Sequence, residues 1–213
     1  MTLRTIEVAA PAHGRVLVRD GGAPRGLLVG FHGYMENAEI MMERLAAIPG
    51  AEGWTLVAVQ GLHRFYKGRS EVVVASWMTR QDRESAIRDN IAYVDNVVER
   101  TRTASESIVF VGFSQGVAMA FRAAVRGQAG AAGVIAVGGD IPPELLSDAG
   151  SRFPPVLLTR GVQDDWYTTE KLRQDVAALR ARGEEPETLE YGGGHEWTPE
   201  VAQRAAEFLA GLS

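Results

Sequence analysis

The sequence predicts an α/β protein in which a mostly parallel, doubly wound sheet carries helices on both faces. Short, continuous apolar segments alternate along the chain with longer amphipathic segments. Apolar segments of this kind are typical of strands covered on both faces, and their alternation with helices indicates right-handed crossovers. Because no linker or internal repeat interrupts the pattern, the sequence predicts a single domain over residues 1–213.

The predicted strands are short segments rich in apolar and β-branched residues. They cover residues 26–31, 55–59, 107–111, 133–137, 156–159 and 188–191. Residues 107–111 give the clearest prediction because a glycine follows directly. Two shorter segments, around Val8 and at residues 16–18, could form antiparallel edge strands.

The predicted helices come from apolar residues that recur on one helical face. Ile87, Ile91, Val94 and Val98 follow this spacing, and residues 172–179 and 201–209 repeat it. A fourth helix is predicted after the strand at residues 107–111, where residues 117–124 are mostly good helix formers.

Composition excludes several classes of function. The chain of 213 residues is 46% apolar and 23% charged, as in an ordinary globular protein, and it contains no cysteine. Thiol nucleophiles and disulfides are therefore excluded. A net charge of −5 argues against nucleic acid as the partner. No segment has the length of a signal peptide or of a membrane span, so we expect a cytoplasmic protein.

The residues Gly112-Phe113-Ser114-Gln115-Gly116 form a G-x-S-x-G motif between a predicted strand and a predicted helix. This setting is the one that a nucleophile elbow requires, because the tight turn exposes the serine hydroxyl above the sheet. We therefore predict Ser114 as a nucleophile in an α/β-hydrolase fold. The Gln115 N–H at the start of the helix is predicted to stabilise an oxyanion.

A serine nucleophile needs a base, and the chain offers only four histidines: His13, His32, His63 and His195. His195 follows three consecutive glycines after the last predicted strand. Such a loop lets the imidazole reach across the strand ends, and the order serine, acid, histidine along hydrolase chains selects His195 as the base.

The acid that orients the histidine should lie between Ser114 and His195, after the carboxyl end of a strand. Asp164 and Asp165 both follow the strand at residues 156–159. Asp140 is a third candidate because it follows the strand at residues 133–137. These positions alone leave the choice among the three aspartates open.

The second oxyanion donor is expected in the loop after an early strand. Residues 31–37 form that loop, and Gly33 gives its backbone the freedom to turn an amide toward the serine. We predict that the Tyr34 N–H pairs with the Gln115 N–H.

These motifs together resemble those of the phospholipase/carboxylesterase family, which includes small bacterial carboxylesterases and acyl-protein thioesterases. The elbow G-F-S-Q-G is identical to the family's usual form, and Phe31-His32-Gly33-Tyr34 is similar to its H-G-x-G loop. Gly161-Val162-Gln163-Asp164, Gly194-His195 and Ser76-Trp77 also resemble family motifs. Because Asp164 matches the G-x-x-D spacing, the resemblance favours Asp164 over Asp165 as the acid.

The chain departs from the family pattern at several positions. Arg160 replaces the usual histidine before the acid loop, and Met35 replaces the second glycine of the oxyanion loop. Asp165 and Trp166 replace a proline and a small apolar residue. These changes leave the proposed triad intact.

The resemblance implies a serine carboxylesterase that acts on a small-molecule ester with a short to medium acyl chain, without a metal or organic cofactor. Trp77, Trp166, Phe113 and the basic loop at residues 63–69 could line an open site without a lid domain. A lysophospholipase or acyl-thioesterase is the alternative within enzymes. A non-catalytic binding module is the alternative of a different class. The sequence makes no prediction of the oligomeric state.

Overall fold

The computed structural model describes residues 2–21, 25–102 and 107–212. Seven strands form one sheet in the order β1-β3-β2-β6-β7-β8-β9, in which only β1 runs antiparallel to its neighbour. These strands are β1 (Arg15–Arg19), β2 (Gly26–Phe31), β3 (Thr55–Gln60), β6 (Ser107–Phe113), β7 (Gly133–Val137), β8 (Val156–Gly161) and β9 (Glu187–Tyr191). A separate hairpin pairs β4 (His63–Tyr66) with β5 (Val73–Ser76).

Helices cover both faces of the sheet. They are α1 (Ala38–Ala46), α2 (Arg83–Thr101), α3 (Gln115–Arg126), α4 (Pro143–Leu146), α5 (Thr169–Arg180) and α6 (Pro199–Gly211). Helices α2, α3 and α5 pack their apolar residues into one core layer, and α1 and α6 pack into the layer on the opposite face. The predicted doubly wound α/β fold is therefore confirmed.

The strand predictions differ from the structure mainly at the chain's edges. The segment around Val16 is an antiparallel edge strand, as expected. The prediction of a strand near Val8 is wrong: that residue is 74% exposed and pairs with no described strand, so it lacks the burial that stabilises a strand in the sheet. The basic loop predicted at residues 63–69 is largely the β4–β5 hairpin. The prediction of a single domain stays a prediction.

The parallel strands bring the ends of β2, β6, β7, β8 and β9 to one edge of the sheet. Gly33 follows β2, Ser114 follows β6, Gly138 follows β7, and Asp164 follows β8. His195 follows β9 at the same edge. Catalytic and binding groups of α/β sheets gather at this edge, so the fold alone brings the predicted residues together.

Candidate active site

Ser114 occupies a strained turn between β6 and α3. Its backbone has φ 53° and ψ −120°, a conformation that residues with a side chain rarely adopt. Gly116 makes the turn feasible, because a Cβ there would lie 2.1 Å from the Phe31 carbonyl oxygen. The G-x-S-x-G motif thus forms the strand–turn–helix elbow expected from the sequence.

A continuous hydrogen-bonded chain joins three of the predicted site residues. His195 Nε2 lies 2.8 Å from Ser114 Oγ, and His195 Nδ1 lies 2.8 Å from Asp164 Oδ2. The Asp164 side chain is fully buried, whereas the His195 side chain is 31% exposed. A buried carboxylate at Nδ1 holds the proton on that nitrogen and leaves Nε2 free to accept the serine proton.

The loop after β8 separates the candidate acids by side-chain direction. Asp164 Oδ1 accepts hydrogen bonds from the backbone N–H groups of Trp166 at 2.8 Å and Tyr167 at 2.9 Å. Its other oxygen contacts His195, while Asp165 is exposed to solvent. Asp140 is also exposed, and it lines a cleft on the other side of Ser114. Only Asp164 is therefore aimed at the imidazole.

Gly161 explains why the loops after β8 and β9 can meet. A Cβ at this position would lie 2.2 Å from the Gly194 carbonyl oxygen. The two loops are also joined by a hydrogen bond of 2.8 Å from the Gln163 N–H to the Gly193 carbonyl. The glycine that precedes Asp164 thus allows the histidine loop to approach the acid.

The two predicted oxyanion donors stay available to a ligand. Within the described part of the chain, neither the Tyr34 N–H nor the Gln115 N–H donates to a protein acceptor. The loop that carries Tyr34 is anchored directly after it, since the Met35 N–H donates to the Ala75 carbonyl at 3.2 Å and Glu36 pairs with the same residue. Unpaired, fixed backbone N–H groups beside a nucleophile are suited to bind a developing oxyanion.

The Gln115 side chain ties the elbow to the segment after β5. Its Oε1 accepts hydrogen bonds from the Trp77 N–H at 3.0 Å and from Ser76 Oγ at 3.2 Å. Its Nε2 donates to the Met78 carbonyl at 3.1 Å. The Ser76-Trp77 pair noted in the sequence therefore stabilises the elbow through the Gln115 side chain.

Two polar groups that the sequence did not single out stabilise the loop after β2. Glu36 accepts hydrogen bonds from the Gly33 N–H at 2.7 Å and from Arg44, whose two amino groups lie 2.6 and 2.7 Å away. Burial opposes ionisation of Glu36, but the hydrogen bonds from Arg44 and Gly33 outweigh it and hold the pKa of Glu36 below its ordinary value. The Arg44 guanidinium also lies 3.9 Å from the centre of the Phe113 ring.

His32 is a buried structural histidine of the same loop. Its Nδ1 donates to the Gly33 carbonyl at 2.7 Å, and its Nε2 accepts from the Gly61 N–H at 3.0 Å. Burial lowers the pKa of His32, so this imidazole stays neutral and serves as a fixed hydrogen-bonding group. The sequence signal was its position directly before Gly33.

Two clefts meet at Ser114 and Tyr34. The larger, of about 600 Å³, also contains His195, Phe113, Glu196 and other residues of the β2 and β9 loops and of α1. The smaller, of about 300 Å³, is lined by Met78, Arg83, Gln115, Ala118, Arg122, Asp140 and Trp166. We refer to them below as the larger and the smaller cleft.

The expected substrate contacts are corrected in part. Trp77 is fully buried, with its indole N–H donating to the His32 carbonyl at 2.9 Å, so it lines neither cleft and packs in the core instead. Phe113 lines the larger cleft beside His195, and Trp166, 64% exposed, lines the smaller one. From the basic loop, Phe65 lies against Tyr34 with their ring centres 6.0 Å apart.

The departure at Arg160 has a structural counterpart. This buried guanidinium donates to the Tyr167 carbonyl at 2.9 Å and pairs with Glu190 at 2.5 Å. Arg160 therefore links Tyr167, at the end of the loop that carries Asp164, to Glu190 of β9. The sequence marked the position as unusual, but its contacts could not be inferred because they depend on the neighbouring strand.

No group of three or more metal-ligating side chains occurs among residues 2–21, 25–102 and 107–212. Of the helices in those ranges, none combines the length and apolarity needed to cross a membrane. The sequence-based expectations of no cofactor, no nucleic-acid partner and a cytoplasmic location stay predictions.

Comparison with known families and structures places this geometry in context. The model of a family described as phospholipase/carboxylesterase matches residues 70–213, which is more than half of the chain. No curated protein sequence matches the chain significantly. The crystal structure of esterase PE8 is similar at a TM-score of 0.77 and 25% identity, over 94% of this chain and 98% of that chain.

Two further crystal structures have the same fold at lower sequence identity. Acyl-protein thioesterase 2 of Zea mays is 20% identical with a TM-score of 0.75, over 94% of this chain and 99% of that chain. The Bacillus cereus carboxylesterase is 14% identical with a TM-score of 0.72, over 95% of this chain and 96% of that chain. At these identities the likeness describes the fold alone.

Proposed function

Because this chain belongs to the phospholipase/carboxylesterase family, we propose that it is a serine esterase with Ser114 as nucleophile, His195 as base and Asp164 as acid. The family that the sequence motifs indicated is confirmed. The observation that carries the mechanistic proposal is the unbroken chain of hydrogen bonds from Asp164 through His195 to Ser114, with both contacts at 2.8 Å.

In the proposed acylation step, His195 Nε2 takes the hydroxyl proton while Ser114 Oγ forms a bond to the ester carbonyl carbon. The carbonyl π electrons move to its oxygen, which becomes the oxyanion. When the tetrahedral intermediate collapses, the bond to the alkoxy oxygen breaks, and His195 returns the proton to the leaving alcohol. Asp164 stabilises the imidazolium that exists between these two proton transfers.

The oxyanion would be stabilised by the Tyr34 and Gln115 backbone N–H groups. The Gln115 N–H lies in the first turn of α3, where the helix dipole adds partial positive charge. In deacylation, His195 takes a proton from water while the water oxygen bonds to the acyl carbon and forms a second tetrahedral intermediate. When this intermediate collapses, the bond between the acyl carbon and Ser114 Oγ breaks, and His195 returns the proton to Oγ. The products are the carboxylic acid and the free enzyme.

The positions of the two clefts suggest how an ester would bind. His195 must protonate the leaving alcohol, and it lines only the larger cleft. We therefore assign the alcohol to the larger cleft and the acyl chain to the smaller cleft, beside Ala118 and Trp166. A cleft of about 300 Å³ whose lining includes the charged side chain of Arg122 favours short to medium acyl chains.

Hydrolysis of 4-nitrophenyl esters from acetate to decanoate tests the proposal. We expect the activity to fall as the acyl chain lengthens. We also expect Ser114→Ala to lower kcat by on the order of 10⁶-fold. A fluorophosphonate probe should label Ser114 alone, as read by mass spectrometry of the modified peptide. Turnover by Ser114→Ala within tenfold of the unmodified enzyme would contradict the assignment of the nucleophile.

The same assay separates the alternatives. A preference for S-acyl over O-acyl substrates of matched chain length would identify an acyl-thioesterase, and one for lysophospholipids a lysophospholipase. A non-catalytic binding module would turn over none of these substrates and would not react with the probe.

A further inference from the structure

We propose that Asp175 and Tyr167 are positioning residues that hold the acid loop, residues 162–167, so that Asp164 stays aimed at His195. This inference rests on the proposed function, because it assigns a purpose to two buried groups that take no direct part in the triad. It concerns side chains that lie behind the reacting groups and touch neither cleft.

Asp175 lies on α5 as a buried carboxylate with partners from two different loops. The Tyr167 hydroxyl donates to its Oδ2 at 2.8 Å, and the Ile141 N–H donates to the same oxygen at 3.2 Å. Tyr167 is 0% exposed and Asp175 only 5%. One carboxylate oxygen thus joins the acid loop to the loop after β7.

The loop after β7 packs directly on the candidate triad. A Cβ at Gly138 would lie 3.0 Å from His195 Cε1, and a Cβ at Gly139 would lie 2.6 Å from the Ser114 carbonyl oxygen. This loop therefore lies in close contact with both the serine and the histidine. Asp175 accepts from the Ile141 N–H of this loop and from the Tyr167 hydroxyl. It therefore fixes the position of Tyr167 relative to Ser114 and His195.

Tyr167 transmits this position to Asp164 through its backbone. Its N–H donates to Asp164 Oδ1 at 2.9 Å, and its carbonyl accepts from Arg160 Nε at 2.9 Å. Ring, amide and carbonyl of one residue are thus bound to three separate partners. Without the hydrogen bond from the Tyr167 hydroxyl to Asp175, the loop could rotate about its contact with Arg160. The hydrogen bond between Asp164 and His195 would then be formed in a smaller fraction of the molecules.

The charges around Asp175 make the contact sensitive to pH. Burial, with a smaller effect of the Asp140 carboxylate, raises the pKa of Asp175 to about 6, against the opposing hydrogen bonds from Tyr167 and Ile141 and the charge of Lys171. Burial also raises the pKa of Tyr167, so its hydroxyl remains a donor. As the pH falls through about 6, the carboxylate gains a proton and becomes a weaker acceptor.

The first test compares Tyr167→Phe with the control Tyr93→Phe. The Tyr93 hydroxyl donates to the Arg15 carbonyl at 2.9 Å, and Tyr93 lines neither cleft. We expect Tyr167→Phe to lower kcat about tenfold or more with little change in KM, because it misplaces the acid and leaves the clefts intact. Tyr93→Phe should retain the kcat of the unmodified enzyme. Equal kcat values for all three proteins would overturn the proposal.

A spectroscopic measurement separates positioning from general loss of stability. The proton on His195 Nδ1 is expected to give a low-field ¹H NMR resonance while it is hydrogen-bonded to Asp164. We expect this resonance to weaken or broaden in Tyr167→Phe and to persist in Tyr93→Phe, at a temperature where both are fully folded. An intact resonance in Tyr167→Phe would contradict the proposed role.

Substitutions at Asp175 test the charge. Asp175→Asn keeps an acceptor for both donors, whereas Asp175→Ala removes it, so the asparagine should recover most of the kcat that alanine loses. The ratio of kcat between the unmodified enzyme and Asp175→Asn should fall toward one between pH 8 and pH 5.5, because a protonated Asp175 is neutral like asparagine. A ratio that does not change with pH would overturn the part played by ionisation.

These outcomes are separable from failure of the proposed function. If the unmodified protein hydrolyses no ester and does not react with the fluorophosphonate probe, the esterase assignment fails. If it is active and the Tyr167 and Asp175 variants match it, only the positioning role fails. Should Asp175→Ala not fold, Tyr167→Phe still decides the question, because it removes a single oxygen atom.

Discussion

The side-chain carbonyl of Gln115 accepts a hydrogen bond from the backbone N–H of Trp77 at 3.0 Å. Gln115 follows the candidate nucleophile, and its own N–H is a candidate oxyanion donor. One residue therefore presents an amide to the substrate while its side chain anchors the elbow to the chain after β5. This relationship gives a physical reason for glutamine in the motif.

Replacing Gln115 by leucine should therefore damage both stability and catalysis. The Trp77 N–H would be left buried without an acceptor, which costs about 1–3 kcal/mol in the free energy of unfolding. We expect kcat to fall about tenfold or more because the first turn of α3 shifts the oxyanion donor. Urea unfolding and steady-state kinetics measure the two effects. Gln174→Leu, on the exposed face of α5, is the control and should change neither.

Asp164→Asn and Asp165→Asn form a matched pair of adjacent substitutions. Asp164→Asn should lower kcat by up to about 10⁴-fold, because the amide no longer selects the productive tautomer of His195. Asp165 is exposed, so its substitution should change kcat far less. Kinetics on both variants, with circular dichroism to verify folding, provide the measurement. A larger loss of kcat for Asp165→Asn would refute Asp164 as the acid of the triad. Equal small losses for both variants would favour Asp140 as the acid.

The size of the smaller cleft should determine acyl-chain preference. Ala118→Leu adds volume beside Ser114, and we expect it to reduce kcat/KM for octanoate and decanoate esters more than for acetate. Ala47→Leu, in the larger cleft, should leave the acyl profile unchanged and act on the size of the alcohol instead. The measurement is kcat/KM for two series of esters, one that varies only the acyl chain and one that varies only the alcohol. The opposite pattern would reverse our assignment of the two clefts.

His32 should make the protein less stable in acid. Because burial lowers the pKa of His32 in the folded state, the unfolded chain binds the proton at higher pH, near its ordinary pKa of about 6.5. Stability is then complete above about pH 6.5 and is lost as the pH falls. A protonated Nε2 could no longer accept from the Gly61 N–H.

Urea unfolding between pH 8 and pH 5 tests this expectation. His32→Gln should be less stable than the unmodified protein at pH 8, yet its stability should decline less steeply toward pH 5. His63→Gln, at an exposed position of β4, serves as the control and should follow the unmodified protein. Parallel curves for His32→Gln and the unmodified protein would show that His32 does not cause the acid sensitivity.

Much of the fold followed from local patterns. The continuous apolar segments correctly predicted the buried parallel strands, since such strands need apolar residues on both faces. Helix α1 and the β4–β5 hairpin were not predicted. The hairpin shows no clear alternation because β4 is largely exposed, whereas Val74, Ala75 and Ser76 of β5 are buried in succession.

The sequence by itself determined the α/β class, the elbow at Ser114 and the small set of candidate partners, because these depend on residues that are neighbours along the chain. Only the tertiary structure decided that Asp164 faces His195, that Trp77 is buried, and that the Tyr167 hydroxyl donates to Asp175. A side chain's direction and burial depend on groups far away in the sequence. Those contacts exist only after the sheet brings its loops to one edge.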